Sequence, residues 1–152
     1  MTFRIELAQM EDAPAILALQ KQAYVTEAEL HNDHTIPPLH QSLESLREEF
    51  QKGIVLKALY NNQIVGSVRA FGQGSICCIG KLIVDASCQN LGLGQRLMQT
   101  IENYFPQASR FELFTGYKSA KNLYLYRKLG FEEVRRQTIS TNLTLVFLQK
   151  CL

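Results

Sequence analysis

The feature that most limits how this chain can fold is a near-continuous apolar run that ends in a glycine turn. Ser75 to Val84 contains Ile76, Cys77, Cys78, Ile79, Leu82, Ile83 and Val84. A strand this apolar is covered on both faces and lies inside a sheet. After the connector Asp85-Ala86-Ser87-Cys88 comes Gln89-Asn90-Leu91-Gly92-Leu93-Gly94-Gln95. From there Gly94, Leu97, Met98, Ile101 and Phe105 recur at helical spacing. Two glycines where a helix begins let the backbone come close to a ligand. The free amides and the dipole of the helix start suit a phosphate. The turn therefore predicts a pyrophosphate seat that needs no large positive charge.

Bulk charge supplies none. The formal net charge is +2, whereas a nucleic-acid surface needs a clustered basic face, so nucleic acid is not an expected partner. The 152 residues, 46% hydrophobic and 20% charged, fit one globular domain over residues 1–152. No apolar stretch approaches the roughly 18 residues of a membrane span, so no membrane contact is expected. The segment Met1-Thr2-Phe3-Arg4-Ile5-Glu6 lacks the pattern of a signal peptide, and a cytoplasmic address is the expectation. Four cysteines without a C-x-x-C pair make neither a disulfide framework nor a zinc site. They read as buried, reduced thiols, with Cys77 and Cys78 on opposite faces of their strand.

The remaining elements follow from periodicity and turn residues. Phe3, Ile5 and Leu7 alternate as a short strand, and Glu11 to Tyr24 reads as a helix with Pro14 in its first turn. Val25 to Gln41, with Pro37-Pro38 and three histidines, reads as a long irregular loop. Ser42 caps a second helix carrying Leu43, Leu46 and Phe50, and Gly53 stops it. Ile54–Tyr60 and Gln63–Phe71 flank Asn61-Asn62, a hairpin turn, and Gly72-Gln73-Gly74 forms another. After the central strand the chain alternates: a helix over Gly92–Tyr104, a strand over Phe111–Thr115 and a helix over Ala120–Leu129. Two further β segments, Glu132–Ser140 and Leu143–Gln149, close it. The architecture is mixed α/β, antiparallel first and βα later.

Several nucleotide-binding turns share glycines, and they are separable. A P-loop needs Lys-Ser or Lys-Thr after its glycines, which is absent here. A dinucleotide fingerprint needs a small residue where Leu97 stands. What remains is Gln89-x-x-Gly92-x-Gly94 after a strand. This pattern resembles the acetyl-CoA-binding signature [RQ]-x-x-G-x-[GA] of the GCN5-related N-acetyltransferases (GNAT). Ile79-Gly80-Lys81-Leu82-Ile83-Val84-Asp85 looks like that family's central strand. Asn122-Leu123-Tyr124-Leu125-Tyr126 through Gly130-Phe131 is similar to its second signature, and the order of elements looks like the family's over almost the whole chain.

The resemblance implies a GNAT-type acyl-CoA N-acyltransferase fold, a mostly antiparallel sheet with splayed middle strands flanked by helices. It implies acetyl-CoA as acyl donor, held by Leu82, Ile83, Val84, Gln89, Asn90, Leu91, Gly92, Leu93, Gly94, Gln95, Asn122 and Tyr126. Amide formation from a thioester requires a neutral amine, a stabilised carbonyl oxygen and a proton for the departing thiolate. Asn122 and Tyr126, four apart, share one helix face. By resemblance Tyr126 is the general acid and Asn122 holds the pantetheine region. Tyr124 reads as structural.

The central strand carries no carboxylate to serve as base. Of the charged groups between Val25 and Gln41 (Glu27, Glu29, His31, Asp33, His34), Glu29 is taken first as base and acceptor contact, then His31. No metal site is expected, since His31, Asp33 and His34 lack a further spaced ligand. Direct transfer in a ternary complex is simpler than an acetyl-cysteine route. The acceptor is a small-molecule or peptide amine, and the acidic loop suits a cationic one. The alternative is a non-catalytic acyl-CoA-binding or interaction module on the same fold. Leu143, Leu145 and Phe147 suggest a dimer edge.

Overall fold

The computed structural model describes residues 2–152. The chain runs β1 (Arg4–Leu7), α1 (Ala13–His31), α2 (Pro37–His40), α3 (Leu43–Lys52), β2 (Ile54–Tyr60), β3 (Gln63–Gln73), β4 (Ile76–Val84), α4 (Leu93–Glu102), β5 (Arg110–Gly116), α5 (Ala120–Lys128), β6 (Glu132–Thr138) and β7 (Thr144–Cys151). Among the described residues seven strands form one sheet in the order β1-β2-β3-β4-β5-β7-β6, and the only parallel pair is β4 with β5. Asn61 and Asn62, at φ 51° and 63°, make the β2–β3 turn, as a tight hairpin requires. Ser42 caps α3 by accepting a hydrogen bond from the Ser45 amide at 3.0 Å.

Each face of the sheet is covered by its own helices. Ile16 and Leu17 of α1 and Leu46 of α3 pack with Val55 and Ile83. Leu97, Met98 and Ile101 of α4 and Leu123 of α5 pack with Leu56, Val68, Phe111 and Val146. Burying each of these large side chains is worth about 1.5–3 kcal/mol. No helix among the described residues is long and apolar enough to cross a membrane.

Two departures from regular pairing shape the middle of the sheet. Ser67 of β3 faces Ile83 of β4, and Arg69 faces Gly80. Two steps on β3 thus span three on β4, so β4 carries one extra residue. The bulge includes Lys81, whose φ is +53°, and it shifts the inside–outside alternation by one. Ile79 and, three residues later, Leu82 both pack toward α4, while Ile83 packs toward α1. The second departure is divergence. β4 pairs with β5 only at Ile76–Arg110, Cys77–Phe111 and Cys78–Glu112. Beyond Cys78 the two strands part, while β5 stays paired with β7 to Gly116.

Several expectations are corrected. The stretch Val25–Gln41 is not an irregular loop, because α1 continues to His31. It stops at Asn32, which turns left-handed at φ 50°, a conformation asparagine tolerates. The Asp33 amide then donates back to the Ala28 carbonyl at 2.9 Å. Pro37 and Pro38 open α2 rather than continue a loop. β3 runs through Gly72 and Gln73, and the turn falls at Gly74. Cys77 and Cys88 are buried, but Cys78 is half-buried and Cys151 is exposed. β7 is no edge: it lies between β5 and β6, and Leu143 is buried with Ala28 and Ile36.

Candidate active site

Where β4 and β5 part, a cleft of about 1650 Å³ opens, lined by β4, the glycine turn, α1, β5 and α5. One end is the start of α4. Asn90 and Gly92 are both left-handed, at φ 63° and 78°. A Cβ on Gly92 would meet nothing within 4 Å, so its backbone conformation, not space, calls for glycine. The Arg96 amide is the first to reach back, to the Gly92 carbonyl at 3.1 Å. Among the described residues the amides of Leu93, Gly94 and Gln95 have no acceptor, so three donors and the positive end of the helix dipole are free for an anion. Gln89 donates to the Val84 carbonyl at 3.1 Å and accepts from the Lys121 ammonium at 2.6 Å, linking β4 to α5. This donor set and the unpaired edge of β4 suit a long, phosphorylated ligand laid between the strands.

The middle of the cleft is built by α5 and α1. Asn122 donates to the Thr115 hydroxyl at 3.4 Å. Tyr126, one turn on, is 6% exposed and packs edge-on against Phe131. Burial, with Tyr24 and Glu27 beside it, pushes its phenol well above the usual tyrosine range. It therefore keeps its proton at neutral pH. α5 packs on one face of the sheet and α1 on the other. They touch through the gap between β4 and β5, because Ser119 at the start of α5 donates its hydroxyl hydrogen bond to the Glu27 carboxylate.

Gln20, Tyr24, Glu27 and His31 fall on one stripe of α1 at helical spacing. His31 is 2% exposed. Its Nε2 accepts from the Lys118 amide at 3.2 Å, which requires Nδ1 to carry the proton and donate to the Glu27 carbonyl at 3.0 Å. His31 thus fastens the end of α1 to the loop before α5. Glu29 lies on the outer face of α1, exposed and outside the cleft. The structure does not bring Glu29 to the cleft; Glu27, two residues earlier, lines it.

Beyond Tyr24, Arg69 of β3 is 4% exposed. It donates to Gln20 at 2.9 Å, to Gln41 at 2.8 Å and to Glu49 at 2.9 Å. Gln41 also hydrogen-bonds Glu49. Lys81, on the bulge, lines the same end of the cleft. Burial and the neighbouring Arg69 hold its ammonium below the usual lysine range, opposed by Glu49.

The glycine turn, Leu82 to Val84, Asn122 and Tyr126 all line the cleft, whereas Leu91 does not and is half-exposed. Ser119, Tyr24, Arg69 and Lys81 escaped the sequence reading. The one signal for the last two was a cation inside each of two apolar strands.

A model of the acetyltransferase (GNAT) family matches residues 14–131. UPF0157 protein YqkA of Bacillus subtilis (strain 168) is 24% identical over 132 residues, covering 85% of this chain and 38% of that protein. The chain thus spans well under half the length of that relative. The PaiA N-acetyltransferase of Thermoplasma acidophilum, solved in complex with coenzyme A, matches with a TM-score of 0.84 at 13% identity over 100% of both chains. The yncA structure from Salmonella typhimurium, with its cofactor acetyl-CoA, matches at 0.77 and 19% identity over 100% of this chain and 95% of that one. At these identities the likeness is one of fold.

Proposed function

The chain belongs to the acetyltransferase (GNAT) family, and on that premise we propose that it moves an acetyl group from acetyl-CoA directly to an amine bound in the same cleft. The observation that carries this reading is the parting of β4 from β5 after Cys78, which leaves a slot between free helix-start amides and a buried, protonated tyrosine. Bound acetyl-CoA supplies the activated acyl group as a thioester.

The chain supplies the rest. The amides of Leu93, Gly94 and Gln95 take the phosphates, and Asn122 and the unpaired edge of β4 from Leu82 to Val84 hold the arm that carries the thioester. Glu27, oriented by Ser119, accepts the amine proton, and Tyr126 donates one to the departing thiolate. Direct transfer is supported by the cysteines: burial pushes the Cys77 thiol up to about 12 and raises that of Cys78, so neither is an activated nucleophile.

Thermal unfolding with and without acetyl-CoA tests the seat, since a ligand of the native state raises the midpoint. The midpoint should rise in the native chain and not in Gly92→Glu. Product formation across a panel of amines then separates an enzyme from a module that only binds, and ping-pong kinetics would count against direct transfer.

A further inference from the structure

We propose that Lys81, with the charge of buried Arg69 behind it, seats a carboxylate on the acceptor, which makes the acceptor an amine that also carries an anionic group, such as a free amino acid. The inference rests on the acetyltransferase reading and adds the class of acceptor. Lys81 is half-buried, lines the cleft and, among the described residues, has neither an ion-pair nor a hydrogen-bond partner. Its left-handed backbone sits next to Gly80, the residue that faces Arg69 across the ladder. Arg69 is charge-matched by Glu49 at 2.9 Å, and its Nε has no acceptor. Two cations therefore share one carboxylate in a half-buried corner.

A desolvated cation without a counterion is costly. Glu112, the other carboxylate at this end, is already held by Arg110 at 3.0 Å. Burial first and then Arg69 depress the Lys81 ammonium, and a bound carboxylate would oppose both.

The corner also lies in the right order along the cleft. Glu27, Tyr24 and Gln20 succeed one another along α1; Glu27 at one end is bonded to Ser119 of α5, and Gln20 at the other is bonded to Arg69 at 2.9 Å. An acceptor lying along α1 would place its amine at Glu27 and its anion at Lys81. Phe71 and Phe114, 47% and 55% exposed, line the same cleft and offer an apolar wall to the rest of such a molecule. This differs from the cationic acceptor that the acidic residues of the Val25–Gln41 stretch suggest. Of those, Glu29 and Asp33 stand outside the cleft.

The test uses the full chain with acetyl-CoA and matched acceptors: L-phenylalanine against 2-phenylethylamine, L-leucine against isopentylamine, and spermidine. Thiol release gives kcat/KM, and thermal unfolding reports the cofactor. The native protein should prefer the carboxylate member of a pair by at least about tenfold, the scale of one charge-assisted contact. Lys81→Gln and Lys81→Met should abolish that preference through KM, and Lys81→Glu should shift it toward spermidine. Each variant should keep its stabilisation by acetyl-CoA. Better turnover of decarboxylated or polycationic amines by the native protein overturns the inference. So does an unchanged preference in Lys81→Gln, or a failure to turn over any carboxylate-bearing amine while acetyl-CoA still stabilises the chain. Absence of that stabilisation overturns the acetyltransferase reading itself.

Discussion

The hydroxyl of Ser119, at the head of α5, is hydrogen-bonded to the carboxylate of Glu27, near the end of α1. The bond joins the two layers through the opening between β4 and β5 and holds Glu27 in the cleft that Tyr126 also lines. Glu27→Gln keeps the size and a hydrogen-bonding partner but removes the base. It should lower kcat by about a hundredfold or more while leaving the acetyl-CoA midpoint shift intact, whereas Glu29→Gln should leave kcat near native. Steady-state kinetics with any accepted amine decide; equal effects of the two substitutions would remove Glu27 from the mechanism.

Tyr126→Phe removes only the phenolic hydroxyl. The expected loss is about a hundredfold in kcat, with little change in KM for acetyl-CoA. Because burial raises this phenol above its ordinary value of about 10, the donor persists across the neutral and mildly alkaline range. A fall in native activity below about pH 10 that is absent in Tyr126→Phe would contradict that environment.

His31 and Gly116 make a coupled pair, because a Cβ on Gly116 would overlap the His31 ring. His31→Ala strips partners from the Glu27 carbonyl and the Lys118 amide. It should cost about 2–4 kcal/mol, lowering Tm by on the order of 10 °C. Gly116→Ala should destabilise by steric conflict, and the double variant should be more stable than the sum of the two predicts. Strict additivity in thermal unfolding would show that the ring and the strand do not constrain each other.

Alkaline stability should fall early. In the unfolded chain a thiol loses its proton near about 8.5 and a phenol near about 10. In the fold, burial first and then nearby acidic groups hold Cys77 and Tyr24 up to about 12. Between those values the unfolded state binds fewer protons, so stability drops as pH rises. Denaturant midpoints at successive pH values should decline from about pH 9 upward, and Cys77→Ala should flatten the first part of that decline. A flat profile to about pH 11 would mean that these groups lose their protons in the fold as readily as in the unfolded chain.

The parts of the fold written in local backbone demands were legible in the sequence. Asn61-Asn62, Ser42 and Gly92 each satisfy a requirement of one or two residues, and each stands where the pattern puts it. The nature of residues 25–31 was not legible, since Val25, Thr26 and two histidines nearby mimic a loop while tertiary packing of Ala28 and His31 keeps them helical. That one misreading decides between Glu27 and Glu29: only the phase of a continuing helix shows that the first shares a stripe with Tyr24 and His31. Arg69 and Lys81 are brought together by strand pairing and a bulge, which pattern along the chain does not encode. Asn122 and Tyr126 were singled out by the resemblance of their stretch to a family signature, and their spacing added only that the two share one face of α5.

The parting of β4 and β5 has a consequence for how this protein ages. Two strands that separate inside a sheet expose backbone donors and acceptors along both banks, and unpaired banks recruit other chains. At the outer margin the protein guards itself: β6 is an edge carrying Glu132, Glu133, Arg135 and Arg136. The inner banks, with Ile79, Leu82 and Leu113 beside them, are guarded more thinly, by Lys81 on one and Glu112 on the other and by what lies between them. Storage and expression should therefore be kindest to the chain when the slot is filled, with the ligand acting as a plug against self-association as well as a reactant.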